Sequence, residues 1–336
     1  MSFDIVMPIA LLIVSLVAMF LNKRVEGELK GIFEEKEFRV RDAVLLVASV
    51  AVTVSLIVFV PQLAIMIIFL FSYSMILFIF GYLFSNVRKM QAELFLAAFV
   101  VVGFVLGAVR LLVFSDNDIA VYGALAFWGL SVFALASLVY DMRRKSTGER
   151  WYLAVLSPAL FICLYVFFSR TSIWFPYLLN SYALIFAVLI ILYLSSMFKW
   201  NTTLIFVALL TVMDIILVLF TGTMVSAARS VSALRLPVLV SLPTIPTMLY
   251  EGNVLYMSLG LGDFFFGGLL TIQTFKRYGE KVAVLAAIAM AASFFIFEAY
   301  LLTYEVTAFP GTVMIICGWL PITVMAEIAK KRSQLN

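Results

Sequence analysis

Histidine is absent from the 336 residues. That absence removes zinc proteases built on an HExxH helix and every nucleophilic pair in which histidine activates serine. Charge is scarce as well: Asp, Glu, Lys and Arg make up 12% of the chain, where soluble proteins carry about a quarter. The only two cysteines, Cys163 and Cys317, both fall in apolar runs. They read as small core residues, and no disulfide framework is implied. Neither a low-complexity tract nor a stretch polar enough for a large soluble domain is present, and no cofactor or metal-ligand motif stands out. What is abundant is apolar surface, at 65% hydrophobic residues and a mean hydropathy of +1.13. Only a polytopic membrane protein has use for that composition, and an all-α bundle of transmembrane helices satisfies its backbone inside lipid. The net charge of +4 is spread over short loops, so it is not a nucleic-acid signal.

Apolar runs cover residues 5–21, 43–60, 63–84, 92–114, 119–140, 152–169, 173–198, 203–220, 254–275, 282–304 and 309–328. They predict eleven crossings, with residues 43–84 turning at Pro61 because one helix of that length overshoots a core of about 30 Å. The first run lacks both a preceding positive charge and a small-residue cleavage site, so a retained helix is expected. Residues 22–42 carry six basic and six acidic residues, with i,i+4 pairs such as Glu26/Lys30, Glu35/Arg39 and Glu37/Arg41. That segment reads as an amphipathic linker on the membrane surface, or alternatively as a solvated spacer. Gly103 and Gly107 are spaced for close helix packing. Three parts follow: residues 1–90 with the linker, a helical scaffold at 91–198, and residues 199–336.

Alternating sides from an external N-terminus places 19 of the 23 Lys and Arg on the inner side. The positive-inside rule then predicts a multi-pass protein, expected in the cell membrane, with N-terminus out and C-terminus in.

Two aspartates interrupt the apolar runs, Asp214 in residues 203–220 and Asp263 in 254–275. A carboxylate in hydrocarbon costs roughly 3 kcal/mol on insertion scales, and such groups are functional by default. On consecutive segments they suggest paired-carboxylate chemistry: one ionised group takes a proton from water while the protonated partner donates to a carbonyl. Gly260 and Gly262 flank Leu261 just before Asp263 and allow another backbone to approach. Glu298 is a third intramembrane acid, and Arg110 is expected to snorkel to the interface. In the long uncharged loop between the aspartates, Val238, Leu239 and Val240 belong to a β-prone run fenced by Pro237 and Pro243, which suits an edge strand.

Gly260-Leu261-Gly262-Asp263 resembles the GxGD motif of the presenilin and signal peptide peptidase family of intramembrane aspartyl proteases. Asp214 occupies the place of that family's other aspartate, and Pro310-Gly311-Thr312 stands where its Pro-Ala-Leu motif opens the last helix. The resemblance covers residues 199–336 and departs at Met213, where the family usually has Tyr or Phe, and after Pro310. It implies a presenilin-like fold of about nine to eleven helices, with Asp214 and Asp263 catalytic. Gly260, Leu261, Gly262, Val238, Leu239, Val240, Pro310, Gly311 and Thr312 would meet the substrate, a transmembrane helix or signal peptide held in the bilayer. The expected inward C-terminus is the polarity of the signal peptide peptidase branch. The rival reading is a proton- or cation-coupled transporter using Asp214, Asp263 and Glu298, with helices broken near the midplane. A non-enzymatic scaffold leaves both aspartates without a purpose.

Overall fold

The structure is a computed structural model that describes residues 3–32, 38–115, 118–144, 150–250, 252–304, 306 and 308–335. Its helices are α1 (Val6–Ile32), α2 (Val40–Ile57), α3 (Gln62–Leu83), α4 (Lys89–Leu112), α5 (Asp118–Arg143), α6 (Trp151–Phe168) and α7 (Leu179–Ser195). They continue with α8 (Trp200–Ile215), α9 (Thr223–Ala233), α10 (Leu261–Tyr278), α11 (Glu280–Thr303) and α12 (Gly311–Leu335). Short π-helical turns precede α7 (Trp174–Leu178) and follow α8 (Ile216–Phe220). Four short strands, β1 (Leu239–Pro243), β2 (Leu249–Tyr250), β3 (Asn253–Val254) and β4 (Tyr256–Gly260), lie between α9 and α10.

Ten of the described helical segments are long and apolar enough to cross a membrane, the make-up of a multi-pass helical bundle. They match ten of the eleven expected crossings. The eleventh, predicted over residues 254–275, is different. Its first part is strand, and the helix α10 begins only at Leu261. The 18 residues of α10 carry Asp263, Lys276 and Arg277, and α10 is not among the ten.

The linker also departs from expectation. Residues 22–32 continue α1 without a break, because nothing between Leu21 and Ile32 stops a helix. Glu26 accepts from Asn22 and pairs with Lys276 at 2.9 Å. Of the other expected pairs, Glu35/Arg39 and Glu37/Arg41 involve residues outside those described. The break at Pro61 falls as expected, between α2 and α3. A helix, α9, occupies part of what reads in the sequence as loop. Its N-terminus is set by Gly222 at φ 64°, a left-handed position that suits glycine.

The described chain forms two compact units, residues 66–178 and residues 1–65 with 179–336. In the first unit α4 lies against α5 with almost no space between them. A methyl group at Gly103 would come within 2.4 Å of Ser131 Oγ, so this glycine is spent on helix packing, as its spacing suggests. Asp141 and Arg150, both buried, pair at 2.9 Å at the end of α5, and Tyr152 donates its hydroxyl to the same carboxylate. In the second unit α1 packs against α7, α10 and α11, and α10 also meets α7, α8 and α12. Residues Phe264 to Thr274 of α10 are all buried, which makes this helix the centre of the unit. Gly318 of α12 lies so near the Ala289 carbonyl that no side chain fits between α11 and α12 at that point.

Candidate functional site

Asp214 and Asp263 are held by three helix ends. Asp214 is the second-last residue of α8, after which the helix widens into π turns marked by the bond from Thr221 N–H to the Ile216 carbonyl (3.0 Å). Such turns are rare and recur at functional sites. Asp263 lies in the first turn of α10, whose cap residue is Gly260. The third end is the start of α12, immediately after Pro310. Proline suits that place because it has no N–H to lose and resists extension of the helix backward.

Thr312, in the first turn of α12, donates its backbone N–H (3.3 Å) and its hydroxyl (2.7 Å) to Asp214 Oδ2. Its neighbour Gly311 lies against the other aspartate: a methyl group there would come 2.5 Å from Asp263 Oδ1. Both carboxylates therefore rest against one stretch of backbone, Gly311–Thr312. The first-turn N–H groups of a helix have no partners within it and carry the positive end of its dipole. Here the start of α12 meets both aspartates, and Asp263 also sits at the start of its own helix. The pair is not symmetric. Asp214 is 7% exposed, whereas Asp263 is partly open and follows the exposed Gly262.

Of the residues the sequence singles out, Gly260, Gly311 and Thr312 are thus at the pair. A methyl at Gly260 would lie 3.5 Å from Asp263 Oδ2, in ordinary contact. Leu261 is buried, with its N–H donated to the Val238 carbonyl (3.0 Å). That bond and the one from Thr244 N–H to the Leu255 carbonyl (3.1 Å) bracket the antiparallel pair β1·β4. In such a pair alternate residues bond across and the others point their backbone groups outward. The register from Leu239↔Gly260 to Pro243↔Tyr256 therefore makes Val240 and Leu242 bond to β4. Leu239 and Ser241 face away from it.

By this parity Val240, which the resemblance places against the substrate, has no outward-facing donor to offer it. Its side chain is fully buried and its backbone pairs with Leu259. The outward groups of Ser241 in β1 are taken as well: Asn180 of α7 accepts from Ser241 N–H (2.7 Å) and donates to the Ser241 carbonyl (2.6 Å). The open edge belongs to β4. Ser258 is exposed, its N–H and carbonyl point away from β1, and no described residue bonds to them. This edge leads directly into Gly260 and Asp263.

Two residues escaped the sequence reading. Asn180 is a polar group within an apolar run, the same signal that picked out the aspartates. Asp4 is fully buried and accepts from Val6 N–H and Met7 N–H (3.2 Å each) and from Ile245 N–H (2.8 Å), tying the start of α1 to the loop after β1. Glu298 is the third acid that the sequence singles out. It is 2% exposed, and its Oε2 has no partner among the described residues. No group of three or more acidic or cysteine side chains able to hold a metal occurs among the described residues. No family model, curated protein or solved structure matches this chain.

Proposed function

We propose that the protein is an intramembrane aspartyl protease that hydrolyses peptide bonds of transmembrane segments or signal peptides with Asp214 and Asp263. The observation that carries this reading is the placement of both carboxylates against one peptide, Gly311–Thr312. Two carboxylates that close share a proton and titrate as a pair, which supplies one base and one acid. In the reaction the ionised carboxylate takes a proton from water, the resulting hydroxide equivalent attacks the scissile carbonyl, and the protonated carboxyl donates to the carbonyl oxygen. Collapse of the tetrahedral intermediate then expels the amine, which leaves with a proton returned by the acid pair. Thr312 fixes the rotamer of Asp214, and Asp263, the more open of the two, faces the approaching chain.

A helical substrate must unwind before its carbonyl can be attacked, and its freed N–H and C=O groups need partners inside the membrane. The outward edge of β4 at Ser258 supplies them by strand addition, immediately before the Asp263 helix. On this reading the second strand, β1, backs β4 and is itself fixed by Asn180. The orientation that goes with this reading is N-terminus out and C-terminus in, in the cell membrane. The test is cleavage of a reporter transmembrane peptide by the purified protein in detergent, where no gradient exists to drive transport.

A further inference from the structure

Directly paired residues of two antiparallel strands turn their side chains to the same face of the sheet. The register of β1 and β4 therefore gives this small sheet two unlike faces. On one, Val240 and Leu259 stand opposite each other and are buried. On the other, Ser241 and Ser258 stand opposite each other, and their hydroxyls meet at 2.7 Å in an exposed setting. Leu239 and Gly260 pair on this second face as well. A methyl group at Gly260 would lie 3.9 Å from Leu239 Cδ2 and 3.5 Å from Asp263 Oδ2. The Asp263 carboxylate thus stands on the hydroxyl face, where β4 runs into α10. Backbone bonds at Val240 and Leu242 already hold the two strands together, so the serine hydroxyls are not needed for pairing. Between them they carry two O–H groups and share one hydrogen bond, and no other bond from either hydroxyl occurs among the described residues. One O–H and several acceptor lone pairs are left unspent beside the open edge of β4.

We propose that the Ser241–Ser258 pair is a subsite that selects a hydroxyl-bearing side chain in the extended substrate, with an apolar residue on either side of it. The subsite rests on the proposed proteolysis and on strand addition at β4, and it specifies which substrates that edge accepts. Side chains of an added strand alternate between the two faces of the sheet. The substrate residue opposite Ser258 therefore lies beside the two hydroxyls, and its neighbours extend the face that Leu259 buries. The residue opposite Gly260, two places along, stands beside Asp263. A hydroxyl withdrawn from water needs a partner, and the serine pair offers both a donor and an acceptor.

The full-length protein in detergent is given reporter transmembrane peptides in which each residue around the cut is exchanged in turn between Val and Thr. These two share a shape and differ by the hydroxyl. One position should favour Thr by about three- to fivefold in kcat/KM, the scale of a cross-strand hydroxyl pair, and the positions before and after it should favour Val. Ser241→Ala with Ser258→Ala should abolish the Thr preference, whereas Ser258→Thr should keep it. Ser258→Ala alone, a change at an exposed residue, should shrink the preference and decides the matter if the double variant folds poorly. Cleavage with no position that favours Thr, or a Thr preference undiminished in the Ala variants, would overturn the subsite and leave the proteolysis standing. Failure of the wild type to cut any peptide would instead strike the proteolytic reading, and the subsite with it.

Discussion

Thr312 gives two hydrogen bonds to a single oxygen of Asp214, one from its backbone and one from its hydroxyl. The same turn of α12 presses Gly311 against Asp263. A motif that in sequence shares only its proline with the resembled family therefore supplies a physical link between the two acids. The side-chain bond can be removed without touching the backbone one. Thr312→Val should lower cleavage by about ten- to a hundredfold, the range for a hydrogen bond to a charged group, and Thr312→Ser should restore most of it. If Thr312→Val cleaves at the wild-type rate, the hydroxyl has no part in setting Asp214.

Gly311 offers a steric test. A β-carbon there cannot coexist with the present Asp263 rotamer at 2.5 Å, so Gly311→Ala must displace the carboxylate. Activity should fall by about tenfold or more, since small misplacements of catalytic groups are costly. Thermal unfolding should change little, because the first turn of a helix accepts alanine. A variant that is both stable and fully active would show that Asp263 works from another position.

The two strands should respond differently to proline. Ser258 points its N–H outward, so Ser258→Pro removes the donor offered to a substrate strand, with only the exposed hydroxyl contact to Ser241 (2.7 Å) lost besides, and should impair cleavage while largely sparing stability. Val240 is fully buried and bonds to β4, so Val240→Pro should lower the melting temperature as well as activity. Equal cleavage by wild type and Ser258→Pro across several substrates would argue against strand addition at β4.

The membrane class, ten of the crossings, the strand-forming run after Pro237 and both aspartates are legible in the sequence because each is a local signal. Apolar length marks a crossing, and an acid within it marks a site. The parity of the β1·β4 pair is not local. It is fixed by which residue of β4 faces which of β1, and residues 254–260 read as the start of a membrane helix because their apolar character alone does not separate strand from helix. Thr312 was visible as part of a motif, but its bond to Asp214 spans 98 residues of chain and no spacing rule supplies it. Asn180 was legible in principle, as an amide in an apolar run.

Asn180 makes a stability prediction of its own. Asn180→Leu leaves Ser241 N–H and C=O without their partner, and unpaired buried backbone groups cost about 1–3 kcal/mol each. The melting temperature should drop by several degrees. Asn180→Asp should fall in between, because a carboxylate accepts from Ser241 N–H but gives nothing to its carbonyl. Unchanged melting in Asn180→Leu would mean that water or a neighbour replaces the amide at no cost.

The central claim is that Asp214 and Asp263 together hydrolyse a peptide bond. The most direct measurement is cleavage of a reporter transmembrane peptide by purified wild type, Asp214→Asn and Asp263→Asn, in detergent, with products identified by mass. Wild type should give two fragments from a cut within the membrane segment, and each variant, folded and equally stable, should be slower by at least about a hundredfold. Fragments formed by either variant at rates near wild type would contradict the two-aspartate mechanism.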